Sequence, residues 1–192
     1  MAERALIADL DGEADTSRLA RVLAPRLQAG DTVLLEGPIG AGKTHFCRAL
    51  IRARLGRDED VPSPTFTLVQ TYQADVDIWH ADLYRLTHPD EARELGLEEA
   101  FDQAICLVEW PDRLGRYVPP GAITIRLSPS GEGRRAEIDL GRRQDLAPLL
   151  ASEFPSAARA AACELMLDRA GWRGAKRHPA PQRNGSEKIA QR

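Results

Sequence analysis

The run Asp31-Thr32-Val33-Leu34-Leu35-Glu36 opens directly onto Gly37-Pro38-Ile39-Gly40-Ala41-Gly42-Lys43-Thr44, and a helical stretch, KTHFCRALIRARLG, follows without a break. The spacing is G-x-x-x-x-G-K-[ST], and with glycine near ~7% of average proteins a chance match in a chain this size arises about once in a hundred or less. Context strengthens the reading, because the loop joins an apolar strand to a helix, as phosphate binding requires. Gly37, Gly40, Ala41 and Gly42 let the backbone curl so that N–H groups and the helix N-terminus meet an anion. Lys43 then reaches the outer phosphates and Thr44 a magnesium ion. Lys43 is also the only lysine among residues 1–175, in a chain that otherwise uses arginine.

A strand–loop–helix unit of this kind needs a sheet to pack on, and the rest of the sequence supplies one. A helix is expected over DTSRLARVLAPRL, with Asp15, Thr16 or Ser17 as its N-cap and Pro25 ending it. FTLVQTY and DIWHADLY read as paired strands, HPDEARELGLEEAF as helical, AICLVEW as a buried central strand, and AITIRL and RAEIDL as later strands. The expected fold is α/β, a three-layer P-loop NTPase arrangement with a mostly parallel central sheet and some antiparallel strands. Residues 1–150 are expected to form this domain and residues 151–192 a C-terminal extension, helical over PSAARAAACELMLDRAGW and then disordered.

The 192 residues suit one domain. No apolar run reaches membrane-spanning length and the first residues are charged, so a soluble, cytoplasmic protein is expected, with no membrane partner. The three scattered cysteines suggest neither a disulfide framework nor a zinc site. Residues 151–192 hold 8 Lys+Arg against 4 Asp+Glu, which leaves 18 against 25 in the body. An acidic body is a poor stand-alone ligand for nucleic acid, so any RNA would be held mainly by other subunits.

A phosphate loop needs an acid on a neighbouring strand to complete magnesium binding. Glu109 closes ICLV and Asp82 closes DIWHA, so both are candidates for a metal shell or for positioning water. The guanine-reading N-K-x-D string is absent and the only asparagine is Asn184, so ATP is favoured over GTP. A small-molecule or nucleoside P-loop kinase remains the alternative, and a nucleotide-sensing module a second one. His80, His88 and His178 have no partners at ligand spacing and read as ordinary strand, helix-start and tail residues.

GPIGAGKT, SPTFTLVQTY, HADLYRL, LGLEEAF and ICLVEWP, in this order and spacing, closely resemble the TsaE family, the bacterial ATPase subunit of the tRNA threonylcarbamoyladenosine machinery. The resemblance covers roughly residues 10–140. It implies an ATP hydrolase using ATP and Mg2+, bound to the heterodimer of the threonylcarbamoyltransferase and its inactive paralogue. That enzyme modifies adenosine 37 of tRNA, and the ATPase would support its turnover while meeting tRNA only through the complex.

Carried onto this chain, the family pattern gives Lys43 the β and γ phosphates, and Thr44 and Glu109 the metal. Asp82 would organise metal and attacking water, and Thr65 would sit in a switch-like loop near the γ-phosphate. Trp110 resembles the family's tryptophan beside the nucleotide, while Glu13 to Thr16 and Arg134 fall on its base or ribose side. His45 departs from the pattern, which usually has a second threonine there, so a hydroxyl contact to the α-phosphate is lost and only the backbone N–H remains. Pro62 before Ser63 would stiffen the switch-like loop. The tail exceeds the family core, and LDRAGWRGAKRHPAP faintly resembles the opening of a phosphotransferase domain fused in some relatives.

Overall fold

The computed structural model describes residues 5–156. The helix expected over residues 155–172, together with Cys163, His178 and the basic tail, lies almost wholly outside them.

Seven strands form one sheet: β1 Leu6–Leu10, β2 Thr32–Glu36, β3 Val69–Tyr72, β4 Ile78–Asp82, β5 Ile105–Glu109, β6 Ile123–Ser130 and β7 Gly133–Asp139. Their order across the sheet is β1-β7-β6-β2-β5-β4-β3. β6, β2, β5 and β4 are mutually parallel neighbours, whereas β3 runs against β4, and β7 against both β6 and β1. Five strands therefore share one direction, and the reversed pair are an edge strand and the return arm of a hairpin. β5, ICLVE, is buried along its whole length, as a strand covered on both faces must be.

Helices cover both faces. Val33, Leu35, Ile105 and Leu107 pack with α1 (Glu13–Leu23), α2 (Lys43–Leu55) and α5 (Ala147–Glu153). The alternate residues Leu34, Cys106 and Val108 pack on the opposite face with Ala92 of α3 (Asp90–Glu94) and with Leu97, Ala100 and Phe101 of α4 (Leu97–Gln103). The two-residue alternation of β2 and β5 thus divides one sheet between two cores, each fully buried Leu or Ile contributing about 1.5–3 kcal/mol. In α2, Phe46, Cys47, Leu50 and Ile51 form the buried stripe. Arg52 and Arg54 occupy its last turn, where cations suit the helix dipole, and Gly56 ends it in the left-handed conformation.

Four sequence expectations are corrected. β1 was not anticipated: Leu6, Ala8 and Leu10 point inward, and the intervening exposed Asp9 made the segment look merely charged. α1 is capped by Gly12, not by Asp15, Thr16 or Ser17. Asp15 acts from inside the first turn, accepting a hydrogen bond from the Asp11 N–H at 3.0 Å. The strand expected from Phe66 begins only at Val69, because Leu68 takes a left-handed conformation (φ 64°) that breaks the extended run. The helical stretch 88–101 is two short helices parted at Gly96, also left-handed.

The division expected at residue 150 falls inside α5. Leu150 and Phe154 are buried in the α1/α2 core, and the Ser156 hydroxyl accepts from the Asp9 N–H at 3.0 Å.

Candidate functional site

The parallel strands β2, β4 and β5 end side by side, and the site is assembled at those ends, where open α/β sheets place ligands. From β2 the chain turns through Gly37 to Gly42 into the first turn of α2. Gly37 has φ 137° and faces the Leu127 carbonyl so closely that a Cβ would collide with backbone. Gly42 has φ 99°, caps α2, and would place a Cβ 2.7 Å from the Arg134 Nη1. Glycine is required at both positions by conformation, and at Gly37 by space as well.

Lys43 is 5% exposed, yet among the described residues no carboxylate pairs with its ammonium. Nζ donates to the carbonyls of Gly37 (2.8 Å) and Pro38 (2.9 Å) and lies 4.0 Å from the centre of the Trp110 ring. Burial lowers its pKa, and the nearby Glu109 and Asp82 carboxylates oppose that shift. Carbonyls and a ring face are soft partners for a desolvated ammonium, so an incoming phosphate finds a cation with charge to spare.

Behind the lysine stand two acids. Asp82 and Glu109 are register partners on β4 and β5, and both are buried. Glu109 Oε2 accepts from the Thr44 hydroxyl at 2.9 Å, and its Oε1 is 3.0 Å from His80 Nε2. Asp82 Oδ2 accepts from Thr65 at 2.9 Å and its Oδ1 from the Tyr84 N–H at 3.1 Å. Thr65 is joined in turn to Ser63, hydroxyl to hydroxyl, at 2.7 Å. The SPTFT loop is thereby tied to the strand ends through one carboxylate. Oxygen ligands from two carboxylates and a hydroxyl are the donor set a hard divalent cation prefers.

The structure thus brings Lys43, Thr44, Asp82, Glu109, Thr65 and Trp110 together. Trp110 holds a left-handed conformation (φ 60°) directly after β5, with its ring tilted against Tyr84 at 5.0 Å. Such a conformation is costly for a bulky residue, and here it turns the indole over the lysine. Thr16 and Arg134 also join the site: Arg134 Nη1, from β7, donates to the Thr16 hydroxyl at 3.3 Å while lying against Gly42. Gly40 is exposed at the loop tip and Ala41 is buried beneath it. Glu13 and His45 sit further out. The His45 ring is within hydrogen-bonding distance of the Ser17 hydroxyl (2.7 Å) and the Glu13 carbonyl (3.1 Å), so it binds α2 to α1, and the Glu13 side chain is exposed.

Two residues of the site escaped sequence reasoning. Tyr84 follows Asp82 by two positions and supplies the aromatic wall behind Trp110. His80 does have a partner, Glu109, contrary to its reading as an ordinary strand residue. The signal was the alternation H-A-D on β4, which puts His80 and Asp82 on the same face. The His88 ring, by contrast, is exposed and lies 3.3 Å from the carboxylate of its neighbour Asp90.

Cys47, His80 and Glu109 present three ligand atoms within 4.8 Å of one another. Burial and the two carboxylates push the Cys47 thiol well up, so it remains a neutral S–H and a poor metal ligand. A cleft of about 710 Å³ runs along α1 and α2 past Ser17, His45, Arg48 and Arg52. Arg48 and Arg52 bond to the backbone carbonyls of Val61 and Glu59, which holds the loop before SPTFT against α2.

Comparison with known proteins agrees with this geometry. Residues 10–137 match the family described as threonylcarbamoyl adenosine biosynthesis protein TsaE. The tRNA threonylcarbamoyladenosine biosynthesis protein TsaE of Rickettsia felis is 42% identical over 127 residues, covering 66% of this chain and 74% of that protein. Its Bacillus subtilis namesake is 37% identical over 123 residues, covering 63% and 76%. The crystal structure of Bacillus subtilis YdiB superposes with a TM-score of 0.63 at 26% identity, covering 83% of this chain and 96% of that one. No described helix is long and apolar enough to cross a membrane. With the glycine loop, both strand-end acids and SPTFT all inside the matched segment, the chain belongs to the TsaE family of P-loop proteins.

Proposed function

We propose that this chain is the ATPase subunit that supports tRNA N6-threonylcarbamoyladenosine formation, acting with the threonylcarbamoyltransferase and its inactive paralogue. The observation that carries the reading is the convergence of the buried Lys43 with Thr44, Glu109 and Asp82 at the ends of three parallel strands, within a family-matched segment. Gly37 to Thr44 would cradle the phosphates, with His45 contributing its backbone N–H. Trp110 would flank them, and Glu13, Thr16 and Arg134 would face the nucleoside end. Residues to about 156 would make up the ATPase body, leaving the remainder as an extension.

Thr44, Glu109 and Asp82 would hold magnesium, which supplies positive charge to the phosphate oxygens when bound. The chain's own groups account for the rest. Lys43 offers a desolvated cation to negative charge building on the outer phosphates. Asp82 is oriented by two donors, Thr65 and the Tyr84 N–H, and is placed to accept a proton from an attacking water or to align it. Thr65 would report the state of the outer phosphate to the SPTFT loop, because a hydroxyl that leaves Asp82 takes Ser63 and Phe66 with it.

The acidic body suits a protein that leaves tRNA to its partners, and the family match favours this reading over a free nucleoside kinase. The test is reconstitution of tRNA modification with Asp82→Ala. The variant is expected to keep ATP binding within about threefold and to lose sustained modification by ~100-fold or more. Full modification by Asp82→Ala would reject the role.

A further inference from the structure

We propose that His80 is a positioning residue that fixes the Glu109 carboxylate for the divalent cation. The inference rests on the reading of Thr44 and Glu109 as metal-holding residues and deepens it. His80 is fully buried on β4, and the hydrogen bond its ring makes is the one from Nε2 to Glu109 Oε1, at 3.0 Å. The other oxygen, Oε2, holds the Thr44 hydroxyl at 2.9 Å. A carboxylate that is 2% exposed is therefore clamped from both sides, by the strand next to it and by the first turn of α2.

The cost of this arrangement points to its purpose. His80 Nδ1 is buried and has no hydrogen-bond partner among the described residues, and an orphaned polar atom of that kind costs about 1–3 kcal/mol. Ile78, on the same face of β4, is wholly buried and apolar, so a leucine or phenylalanine at position 80 would suit the core better. What an apolar residue cannot do is donate to Oε1. Without that donor the carboxylate could rotate about its terminal torsion, which is broad for glutamate, and either oxygen could turn towards Thr44.

His80 thus selects Oε2, beside the Thr44 hydroxyl, as the oxygen presented to the ion. Partners that orient a ligating group in this way typically change metal affinity about 10–100-fold when removed.

The test is a magnesium titration of fluorescent ADP binding to the full chain, with thermal unfolding recorded for each variant. His80→Leu is expected to raise the magnesium concentration needed for half-maximal tightening about 10–100-fold, with metal-free ADP affinity within about threefold of wild type. His80→Gln, whose amide nitrogen reaches as far as Nε2, should restore the response to within about threefold of wild type. In a Glu109→Gln background, His80→Leu should add nothing, since the two act through one carboxylate. Should His80→Leu not fold, His80→Asn, too short to reach Oε1, takes its place with the same expectation. An unchanged magnesium response, or a His80→Gln variant as impaired as His80→Leu, would overturn the assignment while leaving the metal site itself intact. A wild-type chain whose ADP binding ignores magnesium would instead overturn the reading of Thr44 and Glu109.

Discussion

The two halves of the sheet treat charge in opposite ways. In the parallel half, β5 and β4 carry Glu109, Asp82 and His80 inside the protein, each held by named partners at 2.9–3.1 Å. In the antiparallel half, β1, β7 and β6 turn theirs outward: Arg135 meets Asp9 at 3.2 Å, and Arg126 meets Glu137 at 3.4 Å and, on the neighbouring β2, Glu36 at 2.7 Å, all on side chains about a third to over half exposed. Surface pairs of this type contribute ~0–1 kcal/mol, whereas a buried acid left without partners is destabilising by several times as much. A fold does not accumulate buried acids at adjacent strand ends for stability, and their concentration in one half marks where a ligand acts. Arg134 is the exception in the antiparallel half, reaching from β7 to Gly42 and Thr16.

The contrast can be tested along its length. Cys106 lies on β5 and Cys47 on α2, and burial pushes both thiols up, Cys106 to about 12. Because their folded pKa values lie above the unfolded value near 9, their contribution to stability is complete below pH 9. It is lost as pH rises from 9 towards 12, where the unfolded thiols ionise and the folded ones do not. Alkaline denaturation titrations should show stability falling over that window in the wild type, and falling less in a Cys106→Ala variant, which keeps only the Cys47 thiol. Next, Arg134→Ala should weaken ATP binding about tenfold with little effect on melting, as removal of one charge-assisted contact would. Smallest of all, Arg126→Ala should shift stability by less than ~1 kcal/mol and leave nucleotide affinity unchanged. A larger effect of Arg126→Ala than of Arg134→Ala would erase the distinction.

The same contrast explains what the sequence disclosed. The glycine loop and the two strand-end acids were legible, because each is a local pattern whose chemistry needs neighbours close in the chain. The alternation of β6 and β7 was legible for the same reason. β1 was not, since its five residues find their partner, β7, more than a hundred positions away. The H-A-D alternation places His80 on the face of Asp82, but its pairing with Glu109 is set by the β4–β5 register. His45 was read by position within the motif, yet the packing of α1 against α2 is what claims its ring. Long-range register and helix packing, rather than propensity, decided every site residue that was missed or misplaced.

ATP hydrolysis by the purified chain, alone and with the transferase heterodimer, tests the central claim most directly, with Lys43→Ala and Glu109→Ala as controls. The account predicts low basal turnover that rises when the heterodimer is added and falls by ~100-fold or more in both variants. Turnover that ignores the heterodimer, or survives the loss of Lys43, would contradict it.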